Sequence, residues 1–489
     1  MFKAILSLLK HTVVYGLGNV ISRLIAFILL PVFTHALEPS GFGIYQLYYV
    51  AIGIVMEILR MGQDIALLRY YALEKEQKAR KIIFSTIFWS ATAFSLAIGA
   101  ALWFGAEYWV RLIVEMPEPY PEWSIYTLKL CALIIAFDNL AAFPLVVIRV
   151  EGQPVRFSLI KLSGAVAQVA ASVWLVVSLQ RGVAGIFEAN VLSAGLMLLL
   201  CLPTIMSRLA VAFDSAVFKA CLAFGLPNVP NSLFVVGISL ADRKVLELYR
   251  GAAEMGIYSA SYKLGMFLSI VAMGFRYAWQ PFFLKSADQP DAQKLFARVM
   301  TYYVAVTLWM FLLLTAFVPS LVKYDIPGVG HLIDKQYWAG LGVFPIVLSA
   351  YIFDGMYAIF MVGIYLKKKM HVLPFITGTA VIVNVGGNIL LVPKYGMWAA
   401  AWLTVVSYAL MALLLYIYVN RQYPVKYEWG RLLHIGAMAA ICFMGAIWGS
   451  NQGSLLLTFL PGLIFPALLL LTGVANRQEL ARIGIKLKE

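Results

Sequence analysis

GMWAAAWLTVVSYALMALLLYIYV, Gly396–Val419, runs its whole length without an Asp, Glu, Lys or Arg. At about 1.5 Å per residue such a stretch crosses roughly 30 Å of hydrocarbon as a helix. A transmembrane barrel strand would alternate apolar and polar residues. Neither Leu410–Leu415 within this stretch nor Leu468–Leu471 further on does so. Lipid offers the backbone no hydrogen-bond partner, so the segment must be helical. Comparable segments recur along all 489 residues, of which 62% are hydrophobic and 13% charged, with mean hydropathy +0.84. A soluble chain would carry about 25% charge. The composition therefore defines an all-α integral membrane protein rather than a soluble domain with one anchor.

The predicted spans are 12–36, 42–68, 83–106, 125–148, 158–179 and 183–206, then 218–249, 256–284, 296–321, 339–366, 370–392 and 396–419, and finally 432–449 and 454–474. They are numbered 1 to 14 here in chain order. Span 1 is too long for a signal peptide and contains Arg23, so it is read as retained. Lys and Arg fall mainly in alternate connections, about 25 on one side against about 8 on the other. Both termini are then cytoplasmic, as an even number of spans also requires. This asymmetry accounts for the net charge of +14 without a nucleic-acid partner. Cys131, Cys201, Cys221 and Cys442 are scattered through apolar segments and form neither a disulfide framework nor a metal site.

The connections are short. The largest outer ones, around Glu107–Trp123 and Lys323–Trp338, hold roughly 16–17 residues, which weighs against a membrane glycosyltransferase or polysaccharide polymerase. No GxxxxGK[ST], HExxH or GxSxG pattern is present. The expectation is a transporter, not an enzyme, with no cofactor and no metal.

The chain repeats itself. GLGNV (Gly16–Val20) matches GLPNV (Gly225–Val229), FGIY (Phe42–Tyr45) matches MGIY (Met255–Tyr258), and FDN (Phe137–Asn139) matches FDG (Phe353–Gly355). Ser163-Gly164 and Gly182 match Thr377-Gly378 and Gly396. The offsets stay at about 209 to 216, a duplication rather than coincidence. Six spans per unit give two repeats of equal orientation, a secondary-transporter arrangement with rocking about a central cavity. The predicted organisation is an N-lobe over 1–210, a C-lobe over 211–424, and spans 13–14 with a cytoplasmic tail over 425–489. Pro227 and Pro230, within one turn of span 7, are the hinge candidates.

Ionisable residues inside spans cost about 2.5–3.5 kcal/mol each at a helix centre. Arg23, Arg60, Arg243, Lys263 and Arg276 cluster on spans 1, 2, 7 and 8. A wet cavity lined by such cations suits an anion, above all a phosphate held by a guanidinium fork. Glu57, Asp138, Asp242 and Asp354 are candidates for ion coupling or for pairing with those cations. Glu57 and Arg60 lie three apart on one helix face. For any one residue, cavity lining and structural pairing both remain open.

EPSGFGIYQL (Glu38–Leu47), GQDIALLRYY (Gly62–Tyr71), ADRKVL (Ala241–Leu246) and MGIYSASYKLG (Met255–Gly265) resemble the Wzx-type polysaccharide flippases. These form the lipid-linked oligosaccharide branch of the multidrug/oligosaccharidyl-lipid/polysaccharide exporter superfamily. The resemblance covers spans 1–2 and 7–8 in sequence and the rest in topology. It implies two lobes in a V around a cationic cavity. It also implies an undecaprenyl-diphosphate-linked oligosaccharide, such as an O-antigen unit of lipopolysaccharide, moved from the cytoplasmic to the periplasmic leaflet of a bacterial inner membrane. The diphosphate would meet Arg23, Arg60, Arg243, Lys263 and Arg276, and spans 13–14 would help seat the prenyl tail. Proton or sodium coupling, contact with membrane lipid and other polysaccharide-assembly membrane proteins as partners belong to the same implication. A lipid II-type or multidrug exporter of the superfamily is the alternative. The acidic residues depart from a uniformly positive cavity and leave the role of each arginine open.

Overall fold

The structure, a computed structural model, describes residues 27–115, 121–287, 289–326, 330–367 and 369–472. Arg23 and the GLGNV motif lie outside them. The helices are α1 (Phe27–Ala36), α2 (Pro39–Arg60), α3 (Gln63–Leu73), α4 (Gln77–Phe104), α5 (Ala106–Ile113), α6 (Glu122–Val150), α7 (Pro154–Ser172) and α8 (Gly182–Arg208). They continue as α9 (Ser215–Gly225), α10 (Val229–Ser286), α11 (Ala292–Lys323), α12 (Phe344–Lys367), α13 (Leu373–Tyr395), α14 (Met397–Gln422), α15 (Trp429–Asn451) and α16 (Leu455–Leu471). One two-stranded antiparallel ribbon, β1 (Asp325–Ile326) with β2 (Gly330–His331), pairs Asp325 with His331 and Ile326 with Gly330.

Among the described residues, ten helices are long and apolar enough to span a membrane, or eleven counting the bent pair Ser215–Gly225 and Val229–Arg276. α10 holds spans 7 and 8 in one run, divided at Gly251, whose φ of 85° no helix allows. Its two arms are 229–250 and 252–286. α16, at 17 residues, is the fourteenth predicted span, and α1 is the described part of the first.

The ends of two predicted spans differ from expectation. Span 2 is not continuous: α2 stops at Arg60, and Met61 (φ 47°) and Gly62 (φ 67°) turn left-handed before α3 begins. A Cβ on Gly62 would stand 2.3 Å from the carbonyl oxygen of Gly225, and one on Gly225 would stand 2.5 Å from that of Gly62. The sharp turn and the backbone-to-backbone contact both demand glycine. Span 5 ends in a π-helical turn over Val173–Ser178, where Leu179 N–H reaches back to Trp174 O (3.0 Å) and Gln180 adopts φ 50°.

The chain forms two compact units. The first comprises Met1–Lys263, Gln336–Ala339 and Val372–Leu403. Its centre is the packing of α4, α6, α7 and α8, with Phe84, Ile87, Phe143, Val147 and Ile160 buried together and Cys221 of α9 among them. At one end Glu151 accepts from Tyr71 Oη (2.8 Å) and from Arg208 Nε (2.9 Å), tying α3, α6 and α8. The second comprises Leu264–Lys335, Gly340–His371 and Thr404–Glu489. Here α11 packs against α12, α15 and α16. Glu428 accepts from Arg298 Nη1 (3.1 Å) and Thr301 Oγ1 (2.7 Å) and pairs with Arg431 (3.3 Å), fixing the start of α15 to α11.

Candidate functional site

The first unit holds an open cavity of about 300 Å³ between α1, α2, α6, α7 and α8. Asp138 of α6 and Lys161 of α7 line it, with Tyr45 and Tyr49 from α2, Gln168 from α7, and Asn190 and Ser193 from α8. The local sequence explains the placement. Lys161, Gly164 and Gln168 recur at helical spacing on one face of α7, and Asn190, Ser193 and Met197 do the same on α8. Gly164 admits Met197, whose Sδ lies 2.7 Å from where a Cβ would be, and Ser193 Oγ donates to Gly164 O (2.7 Å). Asn190 Nδ2 donates to Tyr49 Oη (2.5 Å). Arg60 and Lys161 are the cations whose charge reaches Asp138. Among the described residues neither closes an ion pair on it.

The same position of the second repeat is built differently. Arg276 and Asp354 form a direct ion pair, and Arg276 Nη2 also donates to Asp354 O (3.2 Å). Both contacts leave from Nη2, while the Arg276 side chain stays 43% exposed. Asp354 thereby fixes the guanidinium at Nη2, the nitrogen common to both of its bidentate edges.

The remaining predicted site residues are placed as follows. Asp242 and Arg243 are buried in the first arm of α10. Tyr258 Oη donates to Asp242 Oδ2 (2.5 Å), Arg243 lies 3.7 Å from Asp242 Oδ1 and 4.5 Å over the Tyr262 ring, and Nη1 donates to Ser239 O. Burial with this many partners is what a charge inside apolar packing requires. Lys263 Nζ donates to Tyr45 Oη (3.0 Å) and lies 5.0 Å from the centre of the Phe42 ring, so it adjoins the cavity through Tyr45. Glu57 feels Arg60 and Asp64 electrostatically. Pro227 sits in a one-turn 3-10 segment, Leu226–Asn228, and Pro230 at the start of α10, where the chain bends by 47°. Lys161, Gln168, Asn190, Ser193 and the two tyrosines were not singled out from the sequence. The repeating polar positions on two consecutive spans were the available signal.

Among the described residues no three His, Cys, Asp or Glu gather where a metal could be held. Outside the spans, Glu74 accepts from the backbone N–H of Lys75 (2.7 Å) and Glu76 (3.0 Å), which hold its carboxyl below the usual range. That contact fixes the α3–α4 corner and plays no part in the cavity.

Membrane-spanning helices, with Asp138 and Lys161 in one unit and the Arg276–Asp354 pair in the other, define a multi-spanning membrane fold. Solved structures share it. A lipid II flippase MurJ in an inward closed conformation superposes with a TM-score of 0.70 at 14% identity, over 95% of this chain and all of the other. An inward-facing multidrug resistance MATE family transporter of the MOP superfamily gives 0.61 at 13% identity, covering 87% and 96%. A Vibrio cholerae MATE transporter gives 0.58 at 13% identity, covering 86% and 97%. No curated protein matches the sequence. The polysaccharide biosynthesis protein family model matches residues 8–287, more than half of the chain, and the protein belongs to that family. The expected family membership and the all-helical membrane-spanning fold hold.

Proposed function

We propose that the protein flips an undecaprenyl-diphosphate-linked oligosaccharide from the cytoplasmic to the periplasmic leaflet of a bacterial inner membrane, by rocking the lobes predicted over 1–210 and 211–424. The observation that carries this reading is Arg276: a guanidinium within an apolar helix, anchored at Nη2 by Asp354 while its side chain stays 43% exposed. A guanidinium held in place in this way can offer its remaining N–H groups to phosphate oxygens. Family membership supports a glycan as the cargo. A neighbour whose name includes lipid II supports a lipid-linked one. Arg23 and Arg60 would contribute the further cations a diphosphate needs.

The driving ion acts at Asp138. Asp138 lines a pocket shared with Lys161, Gln168 and Asn190 and has no ion pair among the described residues, whereas Asp354 is occupied by Arg276. No cofactor takes part, and O-antigen assembly proteins and membrane lipid are the expected partners.

The test is flipping of a labelled lipid-linked oligosaccharide in reconstituted vesicles. Arg276→Ala should lower the rate by about 10-fold or more, and Arg276→Lys, which keeps the charge but not the fork, should fall between. Native flipping by Arg276→Ala would remove Arg276 from the site. Asp138→Asn should abolish dependence on a proton or sodium gradient while Asp354→Asn leaves part of it. Unchanged ion dependence in Asp138→Asn would make the carboxylate structural.

A further inference from the structure

The cavity of the first unit carries polar side chains that the repeat does not need in order to fold. Placed by the match of Ser163-Gly164 with Thr377-Gly378, Lys161 and Gln168 of α7 correspond to Phe375 and Ile382 of α13. Phe375 and Ile382 are each 74% exposed on a membrane-spanning helix, so the second repeat folds with apolar residues at both places. A lysine within a span is costly and points to a polar task.

The hydrogen-bonding groups of this cavity are also left open. Among the described residues, the Asp138 carboxylate and the Lys161 ammonium close no hydrogen bond or ion pair, although each feels the other's charge. Asn190 Nδ2 donates to Tyr49 Oη (2.5 Å) and Gln168 Nε2 to Ser172 Oγ (3.4 Å), while neither amide oxygen receives a donor among the described residues. All four side chains are only partly buried and line one open space. It therefore presents three acceptors and one cationic donor. An anion brings acceptors alone and would leave the carboxylate and both amide oxygens without a partner. An organic cation would meet the Lys161 ammonium. A neutral ligand with several hydroxyl groups satisfies all four, because each hydroxyl both donates and accepts.

The apolar part of the lining is aromatic. The Tyr49 ring stands edge-on to Tyr45 at 5.0 Å, and its hydroxyl is held by Asn190, so the ring is fixed beside the polar groups. A few placed polar groups beside an aromatic wall are the usual make-up of a small-molecule site. A volume of about 300 Å³ is at the small end for such sites and suits one ring rather than a chain.

We propose that this cavity is a sugar subsite that holds one neutral pyranose ring of the cargo. Asp138, Gln168 and Asn190 accept from its hydroxyls, Lys161 donates to one of its oxygens, and Tyr49 lies against its C–H face. The proposal rests on the glycan part of the transport reading and names the side chains that recognise it.

The test uses the purified full chain in lipid nanodiscs, free of sugar-based detergent. Saturation-transfer NMR reads the binding of free glucose, galactose, mannose, rhamnose, N-acetylglucosamine and N-acetylgalactosamine, beside pyrophosphate and tetraphenylphosphonium. At least one neutral sugar should bind, and neither ion should compete with it. Gln168→Ile, which installs the residue of the second repeat, and Lys161→Met should each weaken that sugar by about 5- to 10-fold, with native melting temperatures. Both variants leave Asp138 intact. No transfer to any of the sugars, or unchanged affinity in both variants, would overturn the subsite. Binding of pyrophosphate or tetraphenylphosphonium that the same variants remove would overturn it too. Sugar binding needs no lipid-linked cargo. Binding that both variants weaken, with no flipping of the labelled lipid-linked oligosaccharide by the native chain, would keep the subsite and sink the cargo. Flipping by the native chain without any sugar binding would sink the subsite alone.

Discussion

Asn139 and Gly355 end the matching FDN and FDG motifs, and their surroundings explain why the repeat diverged there. Asn139 is buried and donates to Ser95 Oγ of α4 (3.0 Å). At Gly355 a Cβ would fall 1.6 Å from Tyr303 Oη, so the ring of Tyr303 on α11 fills the volume that Asn139 occupies in the first repeat. Gly355→Asn should therefore destabilise the protein by about 2–4 kcal/mol through overpacking, read as a lowered melting temperature in detergent. Tyr303→Ala combined with Gly355→Asn should recover part of that loss, whereas additive losses would show that the two positions do not compete for space. The charges diverge in the same way. Arg276 closes directly on Asp354, but Arg60 acts on Asp138 without an ion pair, and Lys161, which has no equivalent among the predicted site residues of the second repeat, enters instead. The sequence displayed Asp138 and Asp354 as equals. Whether a carboxylate is paired is a matter of a few ångströms, which repeat spacing does not encode.

At the scale of elements, glycine and proline decide where spans break. Gly62 carries both a positive φ and a backbone contact with Gly225. Gly62→Ala should cost about 1–3 kcal/mol, and melting of the purified variant at the native temperature would show that α3 and α9 separate freely. Gly251 breaks α10 into two helices with no loop between them, one for each predicted span. The hydropathy of spans 7 and 8 predicted both arms, and the missing connection between them is the work of that single φ. The break after Arg60 was hidden because Glu57, Arg60 and Asp64 were read as charges within one continuous span, and only the proximity of Gly225 shows the turn. The polar faces of α7 and α8 were legible as a pattern, but their convergence on one cavity was not.

For the whole molecule, the orientation derived from Lys and Arg placement predicts cytoplasmic termini. A fluorescent protein fused to the C-terminus should fluoresce and an alkaline phosphatase fused there should be inactive; the opposite pair of results would invert every outer and inner assignment. The sequence by itself determined that the chain is helical and membrane-spanning, that it is duplicated, and to which family it belongs, because the length, hydropathy and period of apolar segments are local properties that lipid enforces one segment at a time. Only the tertiary structure decided which buried charges are paired, that Lys161, Gln168 and Asn190 share a cavity with Asp138, and that Gly62 and Gly225 meet backbone to backbone. Those outcomes depend on distances between segments far apart in the chain, where packing against neighbours, not hydropathy, sets what each side chain touches.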